Sequence, residues 1–90
     1  MIKVKTSGGF ELEIDERIKN DWRLVEAIAD AEDKDASKKI KGTANLISLI
    51  VGKDKDRFME YIASKNDGFI PMEQVNLEII DIMHEMKIKN

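Results

Sequence analysis

The chain reads as an α+β domain, an N-terminal two-stranded β-hairpin packed on a compact cluster of about four α-helices. Three observations predict it. Apolar residues alternate with charged ones over 2–5 and 10–14, the period-two pattern of half-buried strands. After Asp15 the apolar spacing lengthens to about 3.6 residues, the period of a helix. Ninety residues are enough for one modest core, so a single domain over 1–90 is expected.

The hairpin, at about 2–14, can be registered from side-chain chemistry, because opposite residues share a face. Pairing Thr6 with Phe10 sets Lys5 against Glu11, Val4 against Leu12, Lys3 against Glu13 and Ile2 against Ile14. A shift of one residue would oppose Lys5 to Leu12 and scramble both faces. Ser7, Gly8 and Gly9 remain as a three-residue loop, a length that needs a residue with positive φ. One side is then wet and charge-paired. The other, made of Ile2, Val4, Phe10, Leu12 and Ile14, must lie on another part of the chain or on a partner, since an isolated hairpin is marginal in water.

Helices are expected at about 22–33, 36–51, 54–65 and 71–87. Asp21 is placed to cap the first, with an earlier turn available over 16–19. Ile18, Trp22, Val25 and Ala29 share one line on it, and Leu24, Ala27, Ile28 and Ala31 widen the apolar arc beyond half the circumference. So wide an arc implies two neighbours, of which the hairpin is the nearest candidate. Asp35 or Thr43 caps the second helix, which Gly42 weakens locally. Its stretch 44–51 is the most apolar of the chain and reads as the central, most buried helix, ended by Gly52 in a left-handed conformation. Asp54 starts the third, with Phe58, Tyr61 and Ile62 on one side and Met59 at the margin. Asn66-Asp67-Gly68 breaks the pattern, and Pro71 suits the start of a helix. The last helix carries Met72, Val75, Ile79, Ile82, Met83 and Met86 on one face. Leu77, Ile80, His84 and Ile88 form a thinner apolar line on the opposite side, where a simple surface helix would be polar. That line is either a partner surface or covered by another helix of the chain.

Composition excludes several classes. The chain has no cysteine, hence no disulfide framework and no thiol nucleophile or thiolate metal site. Its apolar runs fall far short of the ~20 residues that span a bilayer. The N-terminus opens directly on the strand pattern, so no targeting segment is expected. Lys and Arg number 15 and Asp and Glu 18, for a net charge of −3. That near-balance gives a solvated surface and argues against non-specific nucleic-acid binding.

No catalytic constellation stands out. The one histidine, His84, sits beside Glu85 without a nucleophile motif and reads as a helix-surface or interface residue. Asp30, Glu32, Asp33 and Asp35 lack the glycine and closing glutamate of a calcium loop and read as a charged interhelical segment. Lys38, Lys39 and Lys41 have acidic neighbours and no interleaved aromatics, unlike a nucleic-acid surface. The lone tryptophan, Trp22, reads first as a core anchor and second as a binding hot spot. No metal and no cofactor is expected.

The run Lys3-Val4-Lys5-Thr6-Ser7-Gly8-Gly9-Phe10-Glu11-Leu12-Glu13-Ile14-Asp15, followed by Asp21-Trp22-Arg23-Leu24-Val25-Glu26-Ala27-Ile28-Ala29, resembles the small tail assembly chaperones of long-tailed phages and prophages of Gram-positive bacteria. The likeness continues loosely through 46–52, the turn 66–71 and the last helix. The resemblance implies a non-enzymatic protein of the host bacterial cytoplasm that binds the helical tape measure protein and keeps it soluble while tail tube subunits polymerise around it. It also implies a longer, frameshifted companion product, to whose short form this chain would correspond. It supplies no catalytic residue. Leu77, Ile80, His84 and Ile88 are the expected partner-binding surface, for the tape measure protein or for self-association when that partner is absent; nucleic acid and membrane are not expected partners. The alternative function is a small phage or mobile-element regulatory protein that binds a host protein, and a small enzyme is the least supported class.

Overall fold

The computed structural model describes residues 1–88, so the last two positions of the expected 1–90 domain lie outside the described residues. Strands β1 (Ile2–Lys5) and β2 (Glu11–Ile14) pair antiparallel in the expected register, from Ile2 with Ile14 to Lys5 with Glu11. Thr6 N–H donates to the Phe10 carbonyl at 2.9 Å, and Gly9 turns the loop at φ +99°. Lys5 and Glu11 approach to 3.8 Å across the wet face. Val4, Phe10, Leu12 and Ile14 are buried on the other, with Ile2 packed at its edge.

Four helices follow, α1 (Trp22–Ala31), α2 (Ala36–Ile50), α3 (Lys55–Ser64) and α4 (Met72–Glu85). The early turn is present as a 3-10 segment over Glu16–Asn20. Aspartates start three of these elements. The Asp15, Asp21 and Asp35 carboxylates accept from the backbone N–H groups of Arg17, Arg23 and Ser37, respectively, in the N-cap arrangement. Asp35, not Thr43, is therefore the cap of α2; the Thr43 hydroxyl instead donates back to the Lys39 carbonyl. Asp15 and Asp21 also take side-chain hydrogen bonds from Arg17 and Arg23, which hold each carboxyl at about 2, below its ordinary 3.8.

The hairpin is fastened to α3 and α4. Phe10 meets Phe58 edge-on with ring centroids 5.5 Å apart and leans on Tyr61 at 5.0 Å. Phe58, Ile62, Ile82 and Met86 are the most deeply buried large side chains. The Cα radius of gyration, 12.6 Å, is close to the about 12 Å expected for a globule of this length.

Several expectations are corrected. Trp22 is not a core anchor: it is 68 % exposed, and Val25 and Ala29 on its line are exposed too. α1 buries Leu24 and Ala27 and half-buries Ile28 and Ala31. The reason lies at Gly42, where a Cβ would stand 2.3 Å from the Ala31 backbone nitrogen. Backbone-to-backbone approach of α1 and α2 fixes which stripe of α1 is covered, and the Trp22 line is left outside. Gly42 is thus a packing requirement rather than a weak point of α2. Nor is α2 the most buried helix. Residues 36–41 are exposed, Leu49 is half-buried, and α4 carries more of the core. Met72, expected on the buried face of α4, stands at the first helical position and is exposed.

Candidate functional site

α4 is positioned at both ends by its own sequence. Asp67 and Gly68 take left-handed conformations, Gly68 N–H donates to the Ala63 carbonyl at 2.8 Å, and Pro71 sets the extended residue before the first helical turn. At the far end Lys87 is left-handed at φ +60°. Lys87 N–H donates to the His84 carbonyl and Ile88 N–H to the Met83 carbonyl, at 3.0 and 2.9 Å, the paired bonds of a Schellman ending. This ending corrects one expected site residue. Ile88 is turned back and packs on the core beside the helix end, so it does not extend the outer line.

The other three stand where the spacing puts them. Leu77 is 56 % exposed, Ile80 41 % exposed and His84 exposed, on the side of α4 opposite buried Val75, Ile79 and Ile82. Among the described residues no helix buries them, so the line is exposed. Glu73 lies on the same outer line, four residues before Leu77. Phe69, Ile70 and Met72, just before and at the start of α4, add further exposed apolar surface.

Ile80 also borders a groove of about 250 Å³ between α1, α2 and α4, lined by the apolar side chains of Ile28, Leu46, Ile79 and Met83 and by charged Glu32 and Lys39. A wider depression of about 550 Å³ on the wet side of the hairpin brings Lys3, Lys5, Lys53 and Arg57 together with Glu11, Glu13 and Asp54. Its charges are mixed in sign, as on a solvated face. Among the described residues no group of three or more His, Cys, Asp or Glu side chains is arranged to hold a metal ion. No helix among them is long and apolar enough to cross a membrane.

Two features, one in α4 and one in the turn before it, were not read from the sequence. Glu78 is buried; Gln74 Nε2 donates to its Oε1 at 3.3 Å, while its Oε2 has no hydrogen-bond partner among the described residues. Its position between the two apolar lines was the available signal. Phe69 and Ile70 fell inside a turn, where periodicity assigns no face. Comparison with known proteins returns no matching family model, no matching curated protein and no matching solved structure.

Proposed function

We propose that this protein is a small tail assembly chaperone, a non-catalytic module that holds a helical segment of a tape measure protein against the outer face of α4 until tail tube subunits take its place. One observation carries the reading. Of nine exposed large hydrophobic side chains among the described residues, five (Phe69, Ile70, Met72, Leu77 and Ile80) fall between positions 69 and 80. Leu77 and Ile80 stand on the outer line of α4, while Phe69 and Ile70 precede the helix and Met72 opens it on another side; exposed apolar surface of this kind in an otherwise highly charged chain is suited to recognition of a partner helix. Leu77 and Ile80 are already half-covered, so burying what remains contributes about 1 kcal/mol each. A contact built from such increments is reversible, as release to the growing tube requires.

The test is to change Leu77 and Ile80 to Ser, verify the fold by circular dichroism, and measure pulldown and solubility of a coexpressed tape measure protein. Loss of both with the fold intact is expected. Retained binding and solubility reject this surface.

The alternative, a regulatory protein that binds a host protein, draws on a different observation, the exposed line of Trp22, Val25 and Ala29 on α1. An exposed tryptophan beside apolar neighbours is a common interface anchor. Trp22→Ala leaves tape measure binding unchanged under the first reading and removes host-protein binding under the second.

A further inference from the structure

We infer that the free chain pairs with a second copy of itself through α4, the two helices antiparallel about a two-fold axis that passes between positions 78 and 79. The outer line of α4 consists of Glu73, Leu77, Ile80 and His84, separated by four, three and four residues. That is the spacing of a coiled-coil seam, with apolar residues at its two middle positions and polar ones at its ends, set opposite the broad face the helix buries in its own core. The spacing is the same in both directions. Reversing the helix about the midpoint of Leu77 and Ile80 therefore lays the stripe on itself, each Leu77 on the Ile80 of the other copy and each Glu73 beside its His84.

The end charges select this direction. In a parallel pair Glu73 would face Glu73 and His84 would face His84, both unfavourable or unpaired. In the antiparallel pair a carboxylate faces an imidazole, which offers it an N–H in either protonation state. The helix dipoles are opposed as well. Such an arrangement is isologous, the commonest closed symmetry for a small chain, and closes at two copies. Asp81 beside the seam is already engaged by Ser7 of its own chain. With two apolar side chains per copy the pairing is weak and reversible and is populated at high protein concentration. The pairing does not depend on the chaperone reading. It uses the same stripe, so self-pairing and capture of a foreign helix exclude one another.

Sedimentation equilibrium over a concentration series reads the result directly. The wild-type weight-average mass is expected to rise from 10.3 kDa toward twice that value, and Leu77→Lys, with an unchanged circular dichroism spectrum, is expected to raise the dissociation constant by at least about tenfold. Direction is tested by charge reversal: Glu73→Lys alone weakens the dimer, and Glu73→Lys with His84→Glu restores it, which parallel pairing would not allow. Because the chain has no cysteine, single Leu77→Cys and Ile80→Cys variants can be mixed and oxidised. Mixed disulfides are expected to outnumber like-with-like ones. A monomer at every concentration, a Leu77→Lys dimer as tight as wild type, or a majority of like-with-like disulfides overturns the inference. A monomer that still binds a tape measure helix through Leu77 and Ile80 would overturn this pairing alone and leave the proposed function standing.

Discussion

Asp81 accepts two hydrogen bonds from Ser7 at one carboxylate oxygen, from the backbone N–H and from the hydroxyl, each at 2.8 Å. They tie the first loop of the chain to its last helix. Lys65 closes the same loop from the C-terminal end of α3, its Nζ donating to the Gly8 carbonyl at 2.9 Å and to the Tyr61 hydroxyl at 2.7 Å. A backbone loop in a small two-stranded sheet gains little from its own ladder, so these side chains fix where the hairpin sits on the helices. Asp81→Ala should lower stability by about 1 kcal/mol, the usual worth of a partly exposed hydrogen-bonded link. It should also speed amide exchange at Ser7 more than at Val4. Equal acceleration at both positions would mean that the link does not act locally.

Gly42→Ala sets two effects against each other. Alanine is the better helix former by about 1 kcal/mol. Against that, the new methyl would stand 2.3 Å from the Ala31 nitrogen and 2.6 Å from the Asp30 carbonyl carbon, both backbone atoms that cannot swing aside. Overpacking of this kind costs about 1–3 kcal/mol, or more where backbone must move. A net loss is expected in urea melts, and a gain would mean that the α1–α2 approach is looser than the geometry indicates.

The hairpin was legible because its constraints are local: a loop of fixed length and two charge pairs admit one register. The Asp21 cap was legible for the same reason and Asp35 as one of two candidates, whereas the cap at Asp15 was not read. Helical periodicity, by contrast, tells which residues share a face but not which face is covered. α1 offers two apolar stripes that look alike in sequence, and the choice between them depends on the α1–α2 crossing at Gly42, a contact between distant positions. Leu77, Ile80 and His84 could be found because they lie opposite a broader apolar face that had a stronger claim on the core. Ile88 could not be placed, since the left-handed Lys87 that turns it inward has no glycine to announce it.

The exposure of Trp22 makes a sharp contrast with Phe58, which is fully buried. Phe58→Ala should cost about 3–5 kcal/mol through lost burial and the cavity it leaves. Trp22→Ala should cost below about 1 kcal/mol, as surface substitutions do. Trp22 is the one tryptophan, so its fluorescence reports this directly: emission should be red-shifted in the folded state and readily quenched by acrylamide. A blue-shifted, protected emission would show Trp22 covered, by the chain itself or by a second copy.

Asp15 and Asp21 contribute to the acid limb of stability. Arg17 and Arg23 lower both carboxyls from 3.8 to about 2 in the folded chain. A depressed folded-state value means that the unfolded chain binds protons first as the pH falls. Their contribution is therefore complete above about pH 4 and lost progressively down to about pH 2. In urea melts across that window, the Asp15→Asn, Asp21→Asn double variant should lose less stability on acidification than wild type does. Parallel pH profiles would show that the two arginine pairs do not couple to folding.

Glu78 has the opposite character, a carboxylate enclosed by the fold with one oxygen unpartnered among the described residues. Enclosing a polar atom without a hydrogen bond costs about 1–3 kcal/mol, while an apolar group of similar shape at the same place incurs no such cost. Glu78→Met keeps the length of the side chain and a good helix former, and should raise stability by about 1 kcal/mol or more at neutral pH. Glu78→Ala separates the two contributions, since it removes the unpartnered oxygen but also the packing of the side-chain stem. It should therefore gain less than Glu78→Met. A loss of stability in both variants would show that the carboxylate makes an attractive interaction in solution, and amide exchange along α4 would then locate the segment that supplies it.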